Sequence, residues 1–424
     1  MPQIKKLAEG VEGLFIKNDR FNTTSVSFNF YLPLNEREYA ANALLPYVLS
    51  SACEKYDNFR KLNLKLGNLY GATVSTANAK LMDYQWTNIS INVIDDRYAL
   101  SEEPTVSGAA ELLASLIFEP ALENGTFREC DLEREKSQML DRIRGEINDK
   151  RGWARSRATA LMFGNDPYAI PRYGHLADME KVSCSDLFDA WERLLRSAFV
   201  RVNVVGERLP EGLMEAVGAA FSAIRRENVT EFKGFITPNL LTCEETELMD
   251  IAQGKLVLGF STGPILPESE CAALTVMADI FGGGPYSRLF TNVREKQSLC
   301  YYCACRAVKS KGIMLVDSGV ERDKVEAAEK EILNQLEVMK NGGFTDEEFS
   351  ASIRSICDSI KSAEDSNAAQ SAWYAARVFD SSVETPAKFA ELIGKVTRED
   401  VIEAAKRVSL CTVYKLLPEG NENE

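Results

Sequence analysis

Histidine is the scarcest chemistry-bearing residue of this chain: His175 is the only one among 424 residues. A metal centre that needs two imidazoles is therefore excluded. Long apolar runs are missing too. No stretch nears the ~20 residues of a membrane span, and the opening MPQIKKLAEGVEG has no apolar core like a signal peptide. A cytoplasmic chain is the expectation. Low-complexity sequence is absent. Positive charge is in deficit, with 49 Lys and Arg against 63 Asp and Glu and a net charge of -14. Such a chain repels phosphate backbones and anionic lipid, so neither nucleic acid nor a membrane surface is an expected partner, while a cationic peptide is acceptable.

Ten cysteines are present in a long chain that reads as unexported, which suggests reduced thiols rather than a disulfide framework. Cys300, Cys303 and Cys305 cluster. No second C-x-x-C pair follows, so they read as reduced core cysteines rather than a zinc site. His175 follows Tyr173-Gly174 with no Cys or Ser elbow beside it, and reads as a solvated loop residue.

The chain repeats itself. KVSCSDLFDAWERLLRSAFVRVNVVG (181–206) is echoed by KVTREDVIEAAKRVSLCTVYKLLPEG (395–420), with Lys181 aligned to Lys395 and Asp186 to Asp400 at an offset of 214. Each carries a Ser or Thr helix cap, an amphipathic helix and an apolar strand. Upstream, FRECDL (127–132) resembles FTDEEF (344–349) at an offset of 217, and each opens a long charged helix. Further upstream, SVSFNFYLPLNEREYAANALLPYVL and KLVLGFSTGPILPESECAALTVMADI each read as an alternating strand, a Pro-containing turn and an apolar helix.

Two copies of one α+β unit are therefore expected. Each should be a mostly antiparallel sheet with helices packed on one face. The expected division is residues 1–225 as a first domain, 226–245 as a polar linker with Gly234 and Pro238, and 246–424 as a second domain.

Residues 281–302 read FGGGPYSRLFTNVREKQSLCYY. Gly282, Gly283 and Gly284 read as a flexible turn, without the Lys-Ser/Thr ending or glycine spacing of a phosphate loop. Leu289, Phe290 and Val293 follow at helical spacing. This segment resembles the second domain of the pitrilysin/insulinase zinc peptidases, where a Gly-rich turn precedes Ser-Arg-Leu-Phe and Arg-Glu-Lys. The resemblance extends over nearly the whole chain through LFIKNDRFNTTSVSFNFYLP, LKLGNLYGATVS and FGNDPYAIPRYGHLADMEKVSCSDL. It implies a mitochondrial-processing-peptidase-like fold. It also implies that Arg294 and Tyr301, seven residues apart, act as donors to a substrate carbonyl and its tetrahedral intermediate.

The same resemblance exposes a loss. Peptidases of that family carry H-x-x-E-H, two zinc ligands and a base. The fitting window here is NALLPYV (42–48), on a helix expected at 39–53. It has no His and no acid, and Pro46 would kink the helix. The third-ligand helix survives in LEREKSQMLDRIRGEI, with an apolar stripe of Leu132, Met139, Ile143 and Ile147. Glu135 matches the family's acid, but the ligand position seven residues on is Arg142, where a fixed positive charge repels zinc; Glu146 would match only if the register slipped.

The resemblance therefore implies a chain with no metal of its own. Several family members work as pairs, one chain with H-x-x-E-H and one without. Zinc is expected in such a partner, and this chain would supply Arg294, Tyr301 and half of a peptide-holding chamber. The alternative is a peptide-binding scaffold, with a homodimer as the alternative assembly. Some small bacterial members resemble proteins associated with modification of translation elongation factor P, and others resemble proteins that process peptide antibiotics or cofactors. The first group fits better a chain that reads as unexported.

Overall fold

The structure is a computed structural model that describes residues 3–100, 104–232, 238–263, 268–379 and 385–419. Residues 233–237 of the linker stretch lie outside the described residues. The chain forms two compact units. One comprises residues 1–144, 172–232 and 362–385, and the other 145–171, 233–361 and 386–424.

The first unit is built on β1 (Gln3–Ala8), β2 (Val11–Lys17), β3 (Thr23–Pro33), β4 (Thr73–Leu81) and β5 (Tyr84–Ile94). After a two-stranded ribbon, β6 (Leu122–Glu123) and β7 (Thr126–Phe127), β8 (Phe199–Gly206) completes its sheet. The strand order is β1-β2-β8-β3-β5-β4. Only β2 and β8 run parallel.

The second unit holds β9 (Cys243–Met249), β10 (Gly254–Ser261), β11 (Cys300–Val308), β12 (Ile313–Val320) and β13 (Ser409–Pro418). Its order is β11-β12-β10-β13-β9, and only β9 and β13 are parallel. Taken from β9, this is the order of the first sheet without β1, so the internal repeat is a repeat of topology.

Helices repeat as well. Glu129–Gly145 and Asp346–Ser362 begin and end 217 residues apart. Cys184–Ser197 and Arg398–Lys406 both start from capping boxes, Ser183 with Asp186 and Thr397 with Asp400. The reciprocal bonds satisfy backbone donors that a helix start leaves open.

Alternation along β3 decides how the first core forms. Val26, Phe28 and Phe30 point to one face and are fully buried. Phe28 meets Phe118 of the helix Thr105–Phe118, and Phe118 meets Phe221 of the helix Leu213–Ser222. Ser27, Asn29 and Tyr31 point the other way, and they too are buried. They lie under a single helix, Asn367–Ala376, from late in the sequence. Ser27 Oγ meets Ser371 Oγ at 2.8 Å, Asn203 Nδ2 donates to the Ser371 carbonyl, and Tyr31 OH donates to the Ala375 carbonyl.

The second unit receives its own extra helix, Lys150–Phe163, from the early half of the sequence. Ala154, Ala158, Met162 and Phe163 pack on Val257, Ile313, Leu315, Tyr414 and Leu416. Each unit thus takes one helix from the other half of the chain, at equivalent places in the repeat.

Three local expectations are corrected. The first-unit helix is Glu36–Leu49 rather than 39–53, because Asn35 caps it by accepting from the Arg37 N–H. It also runs through Pro46 without a break. Pro46 removes only one N–H, so the lost bond is the one to the Asn42 carbonyl. The apolar stripe of Glu129–Gly145 stops short: Leu132 and Met139 are buried, while Ile147 lies beyond the helix end and is exposed.

Candidate functional site

Helix Glu268–Gly282 ends against β11. A Cβ at Gly282 would stand 2.6 Å from both Cβ and backbone N of Cys305. Gly282 is therefore there for close approach of helix to strand. Gly283 and Gly284 turn the chain, with the Gly283 N–H donating to Asp279 and the Ser287 N–H to Gly284. The expectation of a merely flexible turn is corrected on this point.

Arg288 then anchors the next segment. It donates to Gln335 Oε1 at 2.9 Å and to the Gly343 carbonyl, and it pairs with Glu348 at 3.2 Å. Leu289 and Val293, both fully buried, seat the helix Leu289–Lys296. Its winding is π, an i→i+5 pattern that is rare and concentrated at functional sites. It ends on Ser298 at φ +50°, and the Leu299 N–H reaches back to the Val293 carbonyl. This turn delivers the chain into β11.

The result is that Arg294 and Tyr301 line one cleft of about 340 Å³, together with Glu295, Ser298, Leu299, Cys300, Glu321 and Lys324. The Arg294 guanidinium lies 4.5 Å from the Phe290 ring centroid, one turn back, and 3.6 Å from Glu295. Tyr301 is 56% exposed and donates its hydroxyl to Glu321 Oε1 at 2.9 Å. That hydrogen bond and the Glu321 charge raise the Tyr301 pKa. Glu321 in turn pairs with Lys324 at 2.9 Å, whose contact holds the carboxyl below its usual range. The cleft thus presents two cations, two carboxylates and a phenol. From the sequence, the charged stretch 321–340 reads as a solvated helix face, so Glu321 and Lys324 are not singled out there as site residues. They lie just past β12, in the turn that follows it, and only strand pairing brings them beside Tyr301.

Cys300 also lines this cleft, so the cysteine cluster is not all core; Cys303 is buried. All ten cysteines are free thiols.

In the first unit, the window 42–48 is a packed helix. Asn42 is buried, donating to Gln85 and accepting from Arg193. Arg142 does come to this window: its guanidinium lies 4.7 Å from the Tyr47 ring centroid. Tyr173 stands close enough to bear on the Tyr47 ionisation, and Arg172 stacks on Tyr173 at 5.2 Å. Burial is the main reason the Tyr47 pKa is raised, and Arg142 and Arg172 oppose it. Two guanidiniums and two phenols therefore stand where zinc would lie in the family's peptidases, a donor set that does not fit the metal. Among the described residues, no three His, Cys, Asp or Glu side chains converge as a metal site needs. Glu135 is paired with Arg134 at 2.9 Å. Glu146 lies past the end of Glu129–Gly145, in the segment that belongs to the second unit, so a register slip would not place it on that helix. His175 is exposed and caps Leu176–Lys181 without a side-chain bond.

Fold and site together define a two-domain peptidase architecture stripped of its metal donors. The comparisons agree. The family described as Peptidase M16 inactive domain matches residues 181–356. The chain is 28% identical over 415 residues to the probable inactive metalloprotease YmfF of Bacillus subtilis (strain 168), with 98% of this chain and 97% of that protein covered. A conserved protein from Enterococcus faecalis V583 has the same fold at a TM-score of 0.90 and 25% identity, with 100% of each chain covered. A peptidase M16 inactive domain from Pseudomonas fluorescens shares the fold at a TM-score of 0.80 and 19% identity, over 100% of this chain and 99% of that one. Over residues 181–356 the chain thus matches the M16 inactive domain, and over 415 residues it is similar to a probable inactive metalloprotease, in line with the pitrilysin/insulinase resemblance of residues 281–302. Among the described residues no helix is long and apolar enough to cross a membrane.

Proposed function

We propose that this chain is the non-catalytic subunit of a heteromeric zinc peptidase. It holds peptide and lends Arg294 and Tyr301 to a partner chain that carries H-x-x-E-H and the zinc. The observation that carries this reading is the survival of one half of the chemistry without the other. Arg294 and Tyr301 share a cleft, while the metal window holds Asn42, Tyr47 and Arg142. A guanidinium and a phenol are suited to developing negative charge on a carbonyl oxygen. The raised pKa of Tyr301 keeps its proton in place for donation at neutral pH. In this reading residues 1–225 and 246–424 are two peptidase-like domains and the chain works in the cytoplasm.

β11 is also the edge strand of its sheet, and an extended peptide can add to such an edge through main-chain bonds. This supports peptide as the ligand class.

The test is to recover the tagged chain from its own cells with whatever copurifies, then assay peptide hydrolysis. A stoichiometric partner with H-x-x-E-H is expected. R294A and Y301F should each lower turnover of the complex while assembly is retained. Normal turnover with both variants would end the donor role.

One observation favours a second reading, a homodimeric peptide-holding scaffold with no part in hydrolysis, linked to modification of elongation factor P. Tyr301 already spends its proton on Glu321. Recovery of the chain with only itself would favour that reading.

A further inference from the structure

β11 carries an extra residue opposite β12. Cys300 pairs with Val320, Tyr302 with Gly319 and Cys303 with Ser318, so Tyr301 is the bulged residue. In a regular strand, residues three apart point to opposite faces. The bulge changes that parity and turns Cys300 and Cys303 to the same side. The two thiols are close enough that each shifts the other's ionisation, and Ser318 lies beside both. The two thiols differ in access. Cys300 lines the cleft with Arg294, and Cys303 is 5% exposed behind it.

We propose that Cys300 and Cys303 form a redox-active dithiol, with Cys300 the attacking thiol and Cys303 the resolving one, and a low-molecular-weight disulfide as oxidant. The chemistry comes from the placement. The Cys300 thiolate attacks one sulfur of the disulfide RSSR, and the S–S bond breaks to release RS⁻. The mixed disulfide on Cys300 is then attacked by the Cys303 sulfur as its proton leaves, expelling a second RS⁻. The two protein protons end on the two RSH products, so two thiols are oxidised and one disulfide is reduced. Cys303, and more weakly Arg294, lower the Cys300 pKa, while Cys303 itself is held as the thiol. An accessible thiol of lowered pKa beside a resolving cysteine is the arrangement expected of a redox-sensitive site. Sequence spacing alone reads these thiols as reduced core cysteines, because it does not show the bulge. The inference does not depend on whether Arg294 and Tyr301 serve a partner.

The full chain should be equilibrated in oxidised and reduced glutathione, quenched by acid, alkylated and mapped by peptide mass spectrometry. Wild type is expected to give an internal Cys300–Cys303 disulfide, seen as the loss of two hydrogens from one peptide, at redox ratios that leave Cys53 and Cys357 fully alkylated. C303A should stop at the Cys300–glutathione adduct, and Cys300 should alkylate several-fold more slowly than in wild type. Should C303A fail to fold, C303S gives the same adduct test. C300A should leave Cys303 reduced. Full alkylation of both thiols in wild type at ratios that glutathionylate the exposed Cys130 would overturn the proposal. A disulfide from Cys303 to Cys305 instead would overturn it equally.

Discussion

Tyr301 donates its hydroxyl to the carboxylate of Glu321, 2.9 Å away at the far end of the neighbouring strand. Glu321 both accepts the bond and carries the charge that raises the Tyr301 pKa. E321Q keeps an acceptor and removes the charge, so the Tyr301 pKa should fall toward its ordinary value near ~10. NMR titration of ring-labelled tyrosine, assigned with Y301F, reads this directly. An unchanged titration in E321Q would show that the pair is not made in solution.

The two exchanged helices dock by different physics. Met162 is fully buried in an apolar cluster, so M162A should cost about 2–5 kcal/mol through lost contacts and a cavity. Ser371 meets Ser27 across a polar seam, and S371A should cost about 1–3 kcal/mol by leaving a buried hydroxyl short of a partner. Urea unfolding of each variant checks both. Wild-type stability for M162A would contradict the packing of Lys150–Phe163 on its sheet.

Within the glycine triplet, the positions should not tolerate alanine equally. At Gly282 the new methyl meets the Cys305 backbone, whereas at Gly284 its nearest neighbours are atoms of the Tyr286 ring. G282A should therefore be destabilising by about 1–3 kcal/mol, the usual cost of overpacking. G284A should cost less, since a side chain can swing aside. The order of thermal midpoints of the two variants decides it.

Acid sensitivity should trace in part to Asp400. Bonds from the backbone and hydroxyl of Thr397 hold its carboxyl below the ordinary value. A depressed folded pKa gives stability that is present above the unfolded value of about 3.9 and lost as pH falls through the folded one. The stability gap between wild type and D400N should be full at neutral pH and shrink below about pH 4, the unfolded carboxyl range. Urea midpoints across an acid pH series measure the gap, and a constant gap would count against the capping box.

Much of the fold was legible because it rests on local signals repeated twice. The Ser183 and Thr397 caps, the charged helices after FRECDL and FTDEEF, and the alternation in β3 are short-range patterns, and two copies in the same order reinforce each other. Arg294 and Tyr301 were legible as a pair only through the family resemblance of residues 281–302; one π-wound helix and one tight turn connect them. The glycines were visible but their reason was not, since Gly282 answers to Cys305, a residue on another element.

The sequence by itself determined the chemistry that is impossible. One histidine cannot make a two-histidine zinc site in any fold, and in the register that fits best Arg142 puts a positive charge at the third-ligand position. Tertiary structure alone decided the rest. The polar side of β3 reads as solvent-facing, yet it is buried under a helix whose bonded residues lie 344 positions later, because hydrogen bonds to Ser371 and Ala375 satisfy it. The partners of Tyr301 and the pairing of Cys300 with Cys303 depend on strand register and a one-residue bulge. Such features are set by backbone hydrogen bonds between distant segments, and residue spacing does not encode them.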